Sequence, residues 1–172
     1  FEKIKTYLKI SHVLPISRRY FVMNFFDGAM ATLGIILGTY IAGIANPLTI
    51  ILVGLATALA MGLSGFFGAY LTEEAEREAI LRELEIAMLK ELKSTVVRKA
   101  HTFAVLFVAI TDSLAPILAT VISLSPIFFC MFGLIQIDHA IIAAVCVTFA
   151  NLFILGSWLG KISKKSMIRS GL

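Results

Sequence analysis

Asp27 stands inside an apolar run with Met23 four residues before it and Met30 three residues after it, so all three fall on one stripe of a helix that Gly34 and Gly38 continue. One hard carboxylate and two soft thioethers form a donor set that favours a borderline transition ion over Ca²⁺ or Mg²⁺. Methionines at this spacing also serve as core packing, which is the alternative. At 1.5 Å per residue, Asp27 lies about 12 Å past Arg19. A second acid, Asp112, lies in another apolar run beyond Lys99. A carboxylate at membrane depth costs roughly 2.5–3.5 kcal/mol on insertion scales and marks a cavity, a partner or an ion path. The structural alternative for each is a protonated acid hydrogen-bonded to a neighbouring helix. Pro116 cannot donate an amide to the carbonyl of Asp112, which leaves a free acceptor beside that acid. A simple kink, repaired by the Thr111 or Ser113 hydroxyl, is the other reading. Met61, in the next apolar run, falls at a depth close to that of Asp27.

A different kind of donor crowds residues 72–97, which carry seven glutamates. Glu74, Glu78 and Glu85 share a helical stripe with Met88, and Glu76 and Glu83 lie on the adjacent one. Like charges four residues apart repel, and a divalent cation relieves that repulsion. A solvated helix face with Glu78 paired to Arg82 is the other reading of the same run.

The elements that must position these residues follow from composition. Of 172 residues, 59% are hydrophobic and only 15% are charged, with a mean hydropathy of +0.93. That exceeds the roughly 45–50% apolar content of a soluble globule and excludes disorder, a disulfide scaffold and nucleic-acid binding as primary readings. Four apolar stretches, about 20–45, 48–71, 102–130 and 137–160, match the about 20 residues needed to span a bilayer. The prediction is an all-α polytopic membrane protein with four transmembrane helices, a single membrane domain over 1–172. Asn46-Pro47 separates the first two spans as a tight hairpin. With no Pro or Gly between Ala69 and Ala100, the second span is expected to continue as an acidic helix over 72–100. Apolar positions Ile80, Leu84, Ala87 and Leu92 recur there at helical spacing.

Lys and Arg concentrate at Lys3 to Arg19, Arg77 to Lys99 and Lys161 to Arg169, and are absent from the 46–47 and 131–138 connections. The positive-inside rule therefore places both ends and the 72–100 segment in the cytoplasm. Residues 1–17 form an interfacial segment, with Phe1, Ile4 and Leu8 on one face before Pro15; a frayed basic tail is the alternative. No signal peptide is visible. Cys130 and Cys146 have no Cys or His at ligand spacing and read as buried hydrophobes. Gly34 and Gly38, and Gly62, Gly65 and Gly68, suit close helix packing. Gly62-Leu63-Ser64-Gly65 has the spacing of an intramembrane serine protease. His139, its candidate base, begins a span at the opposite side, roughly 15–20 Å away in depth, so no enzyme is expected.

The run Arg19-Tyr20-Phe21-Val22-Met23-Asn24-Phe25-Phe26-Asp27-Gly28 resembles the arginine-to-DG signature of the vacuolar iron transporter family. Ser64 to Glu78, SGFFGAYLTEEAERE, resembles the same family's second-span stretch. The resemblance implies a homodimeric exporter of Fe²⁺, often Mn²⁺, in exchange for protons, with the ion path between paired first helices and cytoplasmic glutamates that collect metal. Asp27 matches the intramembrane aspartate; Glu76 and Glu78 match acids at the base of the cytoplasmic extension. Gly65 stands where many members have an ion-path methionine, and Met61, one turn earlier, is the expected substitute. Ala69 replaces a glutamate before Tyr70, and the 72–100 segment is too short for the separate metal-binding domain of larger members. The family also implies a fifth span beyond Leu172 in the complete protein.

The expected path residues are thus Met23, Asp27, Met30, Met61 and Asp112, and the expected metal ligands Asp27, Glu74, Glu76, Glu78 and Glu85. Fe²⁺ or Mn²⁺ is the cargo, with no permanently bound cofactor, and the expected location is a prokaryotic cell membrane. The alternative function is a non-transporting scaffold or metal-sensing dimer.

Overall fold

A computed structural model describes residues 2–92 and 95–162. Among them all regular structure is helical: α1 (Glu2–Ser11), α2 (Val13–Ile41), α3 (Pro47–Met88), α4 (Val96–Met131) and α5 (Ile137–Ile162). The last four are each long and apolar enough to cross a membrane. The chain is an all-α polytopic membrane protein, with four transmembrane helices among the described residues. Phe1, the side chain of Lys3, and the basic residues Lys164, Lys165 and Arg169 lie outside what is described.

The helix boundaries have local causes. α1 ends at His12, whose φ is 46°, and not at Pro15 as the sequence suggests. Pro15 is instead in the first turn of α2, where an amide hydrogen has no intrahelical acceptor and its loss is harmless. At the other end of α2, Gly43 adopts φ 69°. Its amide bonds Tyr40 O at 3.0 Å while that of Ile44 bonds Thr39 O at 3.1 Å, the paired pattern that closes a helix on a left-handed residue. The Asn46 Oδ1 then accepts the amide of Leu48 at 2.9 Å, and Pro47 occupies the first helical position. Asn as cap followed by Pro is a strong helix start, so the predicted tight hairpin forms as two adjoining caps.

α3 has 42 residues, about 63 Å at 1.5 Å per residue, against roughly 30 Å of hydrocarbon. The second span therefore does continue well past its apolar part. It stops at Met88, however, so the helix expected through residue 100 is interrupted. Leu89 takes φ 49°, its amide bonds Ile86 O at 3.3 Å, and that of Lys90 bonds Glu85 O at 3.2 Å. The closure is the one Gly43 makes, here on a leucine. Of the apolar positions expected on the extension, Ile80, Leu84 and Ala87 are exposed and Leu92, past the end of α3, is buried; on α3 itself Ala69, Glu73, Arg77 and Leu81, each four residues apart, are buried.

The chain forms two compact units. One comprises residues 1–21 and 62–114, with a core of Val13, Ala69, Ala104, Val108 and Ala109. The other comprises residues 22–61 and 115–172; its core takes Ile36 from α2, Ile50 and Ile51 from α3, Leu124 and Ile127 from α4, and Ala140, Ile141 and Ala144 from α5. Pro116 and Pro126 lie within the continuous helix α4.

Candidate functional site

Asp27 belongs to the 22–61/115–172 unit, and the packing of α2 decides which way it points. Phe25, Gly28, Ala29, Thr32 and Ile36 form the buried face. Gly28 meets α4 so closely that a Cβ there would lie 2.6 Å from Pro116 Cα and 2.8 Å from Pro116 O. One turn on, the Thr32 hydroxyl lies 2.9 Å from that of Thr120 and 2.7 Å from Gly28 O. With this face held against α4, the opposite one is left outward: Met23 is 59% exposed, Met30 is 44% exposed, and Asp27, Gly34 and Gly38 are exposed as well. A Cβ added to Gly34 or Gly38 would meet nothing within 4 Å.

The predicted stripe is therefore one continuous outward surface of α2. Among the described residues Asp27 makes no hydrogen bond or ion pair. It lines a groove of about 630 Å³ formed by Val22, Met23 and Phe26 with Phe149, Leu152, Phe153, Leu155, Gly156 and Leu159 of α5. Every other residue of that groove is uncharged and apolar. Met61, the remaining path candidate of this unit, is half-buried on α3.

Asp112 is in the other unit and is a contrasting acid, only 2% exposed. A Cβ on residue 65 would lie 2.9 Å from its Oδ2. Glycine at 65 is thus what admits the Asp112 carboxylate against α3, and a methionine there has no space while Asp112 keeps this position. The Thr111 hydroxyl donates to Phe107 O at 2.7 Å.

The glutamates are dispersed. Glu78 accepts Arg98 Nη2 at 2.9 and 3.0 Å on its two oxygens, in place of the expected Arg82 pair. Glu85 turns inward at the end of α3 and accepts the amide of Leu92 at 2.7 Å, which fixes the chain reversal after Leu89. Glu74 accepts the Tyr70 hydroxyl at 3.5 Å, and Glu76 is exposed. Among the described residues of one chain, no three His, Cys, Asp or Glu side chains come together as a metal site.

Sequence reasoning missed Glu73 and Arg77. They form a buried pair, Arg77 Nε to Glu73 Oε2 at 3.0 Å with side chains 7% and 3% exposed respectively, and Arg77 Nη1 also donates to Ser11 O at 3.3 Å. Their spacing of four was readable, but so were several other pairings in the same run. A cavity of about 710 Å³ borders Arg77, lined also by Tyr7, Glu74, Glu78, Arg98 and His101. Arg77 Nη2 and His101 Nδ1 are buried there without a hydrogen-bond partner among the described residues.

Residues 18–94 match the profile of the VIT family. The family match covers the stretch that carries Asp27 and the glutamates from Glu73 to Glu91. An uncharacterized protein of Methanocaldococcus jannaschii is 32% identical over 157 residues, 90% of this chain and 78% of the relative. No solved structure matches.

Proposed function

The chain belongs to the VIT family, the vacuolar iron transporters that its Arg19–Gly28 run resembles, and from that premise we propose that it exports Fe²⁺ or Mn²⁺ from the cytoplasm in exchange for protons. Membrane metal-ion transport is the activity of the family. The observation that carries the finer reading is the outward stripe of Met23, Asp27 and Met30, an uncompensated acid flanked by thioethers inside an apolar span. A carboxylate there demands a partner, and the Met23, Asp27, Met30 stripe alone supplies too few donors for an ion. A second copy docked on α2 doubles the set, and exposed Gly34 and Gly38 permit close approach of the two backbones. In this reading the path runs along the paired α2 helices, with Met61 and Asp112 as further candidates. Glu74, Glu76 and Glu78 provide a weakly attracting entrance on the cytoplasmic side.

Asp27 carries the coupling. Bound metal favours its charged form, and a proton arriving from the outer side neutralises it and releases the metal. The test is Fe²⁺ and Mn²⁺ flux in proteoliposomes under an imposed pH gradient. Losing even the groups that support a metal ligand costs roughly 10–100-fold in affinity or activity, so Asp27→Asn should lower flux at least that far. Wild-type flux in this variant would end the reading. Cysteines at 30 or 34 of two copies should crosslink readily, whereas a monomer in native membranes would remove the shared path. Flux absent from the wild type would favour the scaffold or sensor.

A further inference from the structure

The groove beside Asp27 is far larger than an ion needs. At about 630 Å³ it falls within the roughly 300–1,000 Å³ of sites for drug-sized ligands. Its walls are apolar, with aromatic rings from Phe26 on α2 and Phe149 and Phe153 on α5, and Asp27 is the single charged side chain lining it. Met30, Gly34 and Gly38 lie outside the groove, while Met23 and Asp27 belong both to it and to the stripe on which the second copy is proposed to dock.

We propose that this groove binds a lipophilic organic cation, a phosphonium or quaternary ammonium bearing aryl groups, with the cationic centre beside the Asp27 carboxylate. Three properties select this class. The carboxylate has no cationic partner among the described residues, so a bound cation supplies the missing charge in surroundings where Coulomb attraction is strong. Phenylalanine rings in the walls suit a diffuse cation that has little hydration to lose. The aryl groups cover apolar wall that a metal ion leaves bare, and such a ligand reaches the groove by dissolving in the bilayer, where a hydrated ion cannot.

The inference stands on the groove and its carboxylate, and metal transport is not required for it. The experiment is equilibrium binding of radiolabelled tetraphenylphosphonium to the protein in proteoliposomes without a membrane potential. Tetraphenylborate, of the same shape and opposite charge, is the control. The expected result is saturable binding of the phosphonium and none of the borate. Asp27→Asn should abolish the saturable component, and Phe153→Ala should weaken it by roughly two- to thirtyfold, the span of one cation–π contact. Equal binding of the two ions would mean that acyl chains or a second copy occupy the groove, and would overturn the proposal. So would unchanged affinity in Phe153→Ala, which tests the site even if Asp27→Asn misfolds. Phosphonium binding without metal flux would refute the transport reading alone, and metal flux without phosphonium binding would refute this one alone.

Discussion

The groove between α2 and α5 and the cavity lined by α1, α3 and α4 have similar volumes, about 630 and 710 Å³, yet the first is lined by one charged side chain and the second by Glu74, Arg77, Glu78, Arg98 and Lys99. In the crowded cavity the charges are largely spoken for: Arg77 binds Glu73, and Arg98 binds Glu78. In the sparse groove Asp27 has no counterpart among the described residues. A run of glutamates draws attention in a sequence, but a charge that is already paired inside its own chain has little left to offer a ligand. The isolated carboxylate is the better guide to function, because none of the described residues completes it.

This contrast is open to a direct test of stability. Removing one member of a buried ion pair costs about 3–5 kcal/mol, since the other is left uncompensated, whereas replacing both by apolar residues is often neutral. Arg77→Met should therefore destabilise the protein by that amount in thermal or denaturant unfolding in detergent. Combining it with Glu73→Leu should recover most of the loss. A benign single variant would mean that Glu73 finds another partner, and the cavity would no longer count as internally balanced.

Glycines sharpen the comparison at the next scale of effect. Gly28 fixes the outward direction of Asp27 by letting Pro116 touch α2, with only 2.6 Å between a hypothetical Cβ and the Pro116 Cα. The obstacle is backbone, which cannot swing aside as a side chain can. Gly28→Ala should cost about 1–3 kcal/mol, as overpacking does, while Gly34→Ala, with open space around it, should stay within about 0.5 kcal/mol for the isolated chain. Equal melting temperatures for the two variants would show that α2 and α4 are not locked at Gly28.

The sequence reading succeeded where one strong signal had no competitor. Apolar runs of span length marked four spans, and Asn46-Pro47 marked a hairpin because cap and first-turn preferences coincide there. It erred where several local solutions were nearly equal. From Glu73 to Glu85 the chain offers Glu73 with Arg77, Glu78 with Arg82, and a stripe of repelling acids. Packing against Ser11 selects the first, a contact with a residue 66 positions away in sequence. The end of α3 was hidden for another reason: Leu89 adopts a left-handed φ that glycine usually signals. Asp27 was legible as an anomaly, but its direction was not, since that depends on how Gly28 and Thr32 meet α4.

Smaller effects are expected at the exposed pair. Glu78 and Arg98 keep 58% and 32% of their side-chain surface, and such pairs contribute about 0–1 kcal/mol. Glu78→Gln should leave the unfolding midpoint nearly unchanged. It also frees Arg98 to repel a cation near the entrance, so half-saturation for metal should rise while maximal flux is kept. A fall in maximal flux comparable to that in Asp27→Asn would place Glu78 inside the path and undo the distinction between the two regions.

The smallest expected change in stability belongs to Asp27 itself. It makes no hydrogen bond or ion pair among the described residues, so the isosteric Asp27→Asn removes a charge without breaking an internal contact. In detergent its unfolding midpoint should match the wild type within about 0.5 kcal/mol, the usual range for surface substitutions away from special features. A structural acid behaves otherwise, as Arg77→Met tests for Glu73: disturbing the pair must disturb the fold. Loss of flux with an unchanged midpoint therefore separates a ligand in the path from an acid that holds helices together. If Asp27→Asn instead unfolds early, the carboxylate is gluing chains to one another. Repeating the measurement across protein concentrations would identify that case, because stability drawn from a second copy rises with concentration and stability within one chain does not.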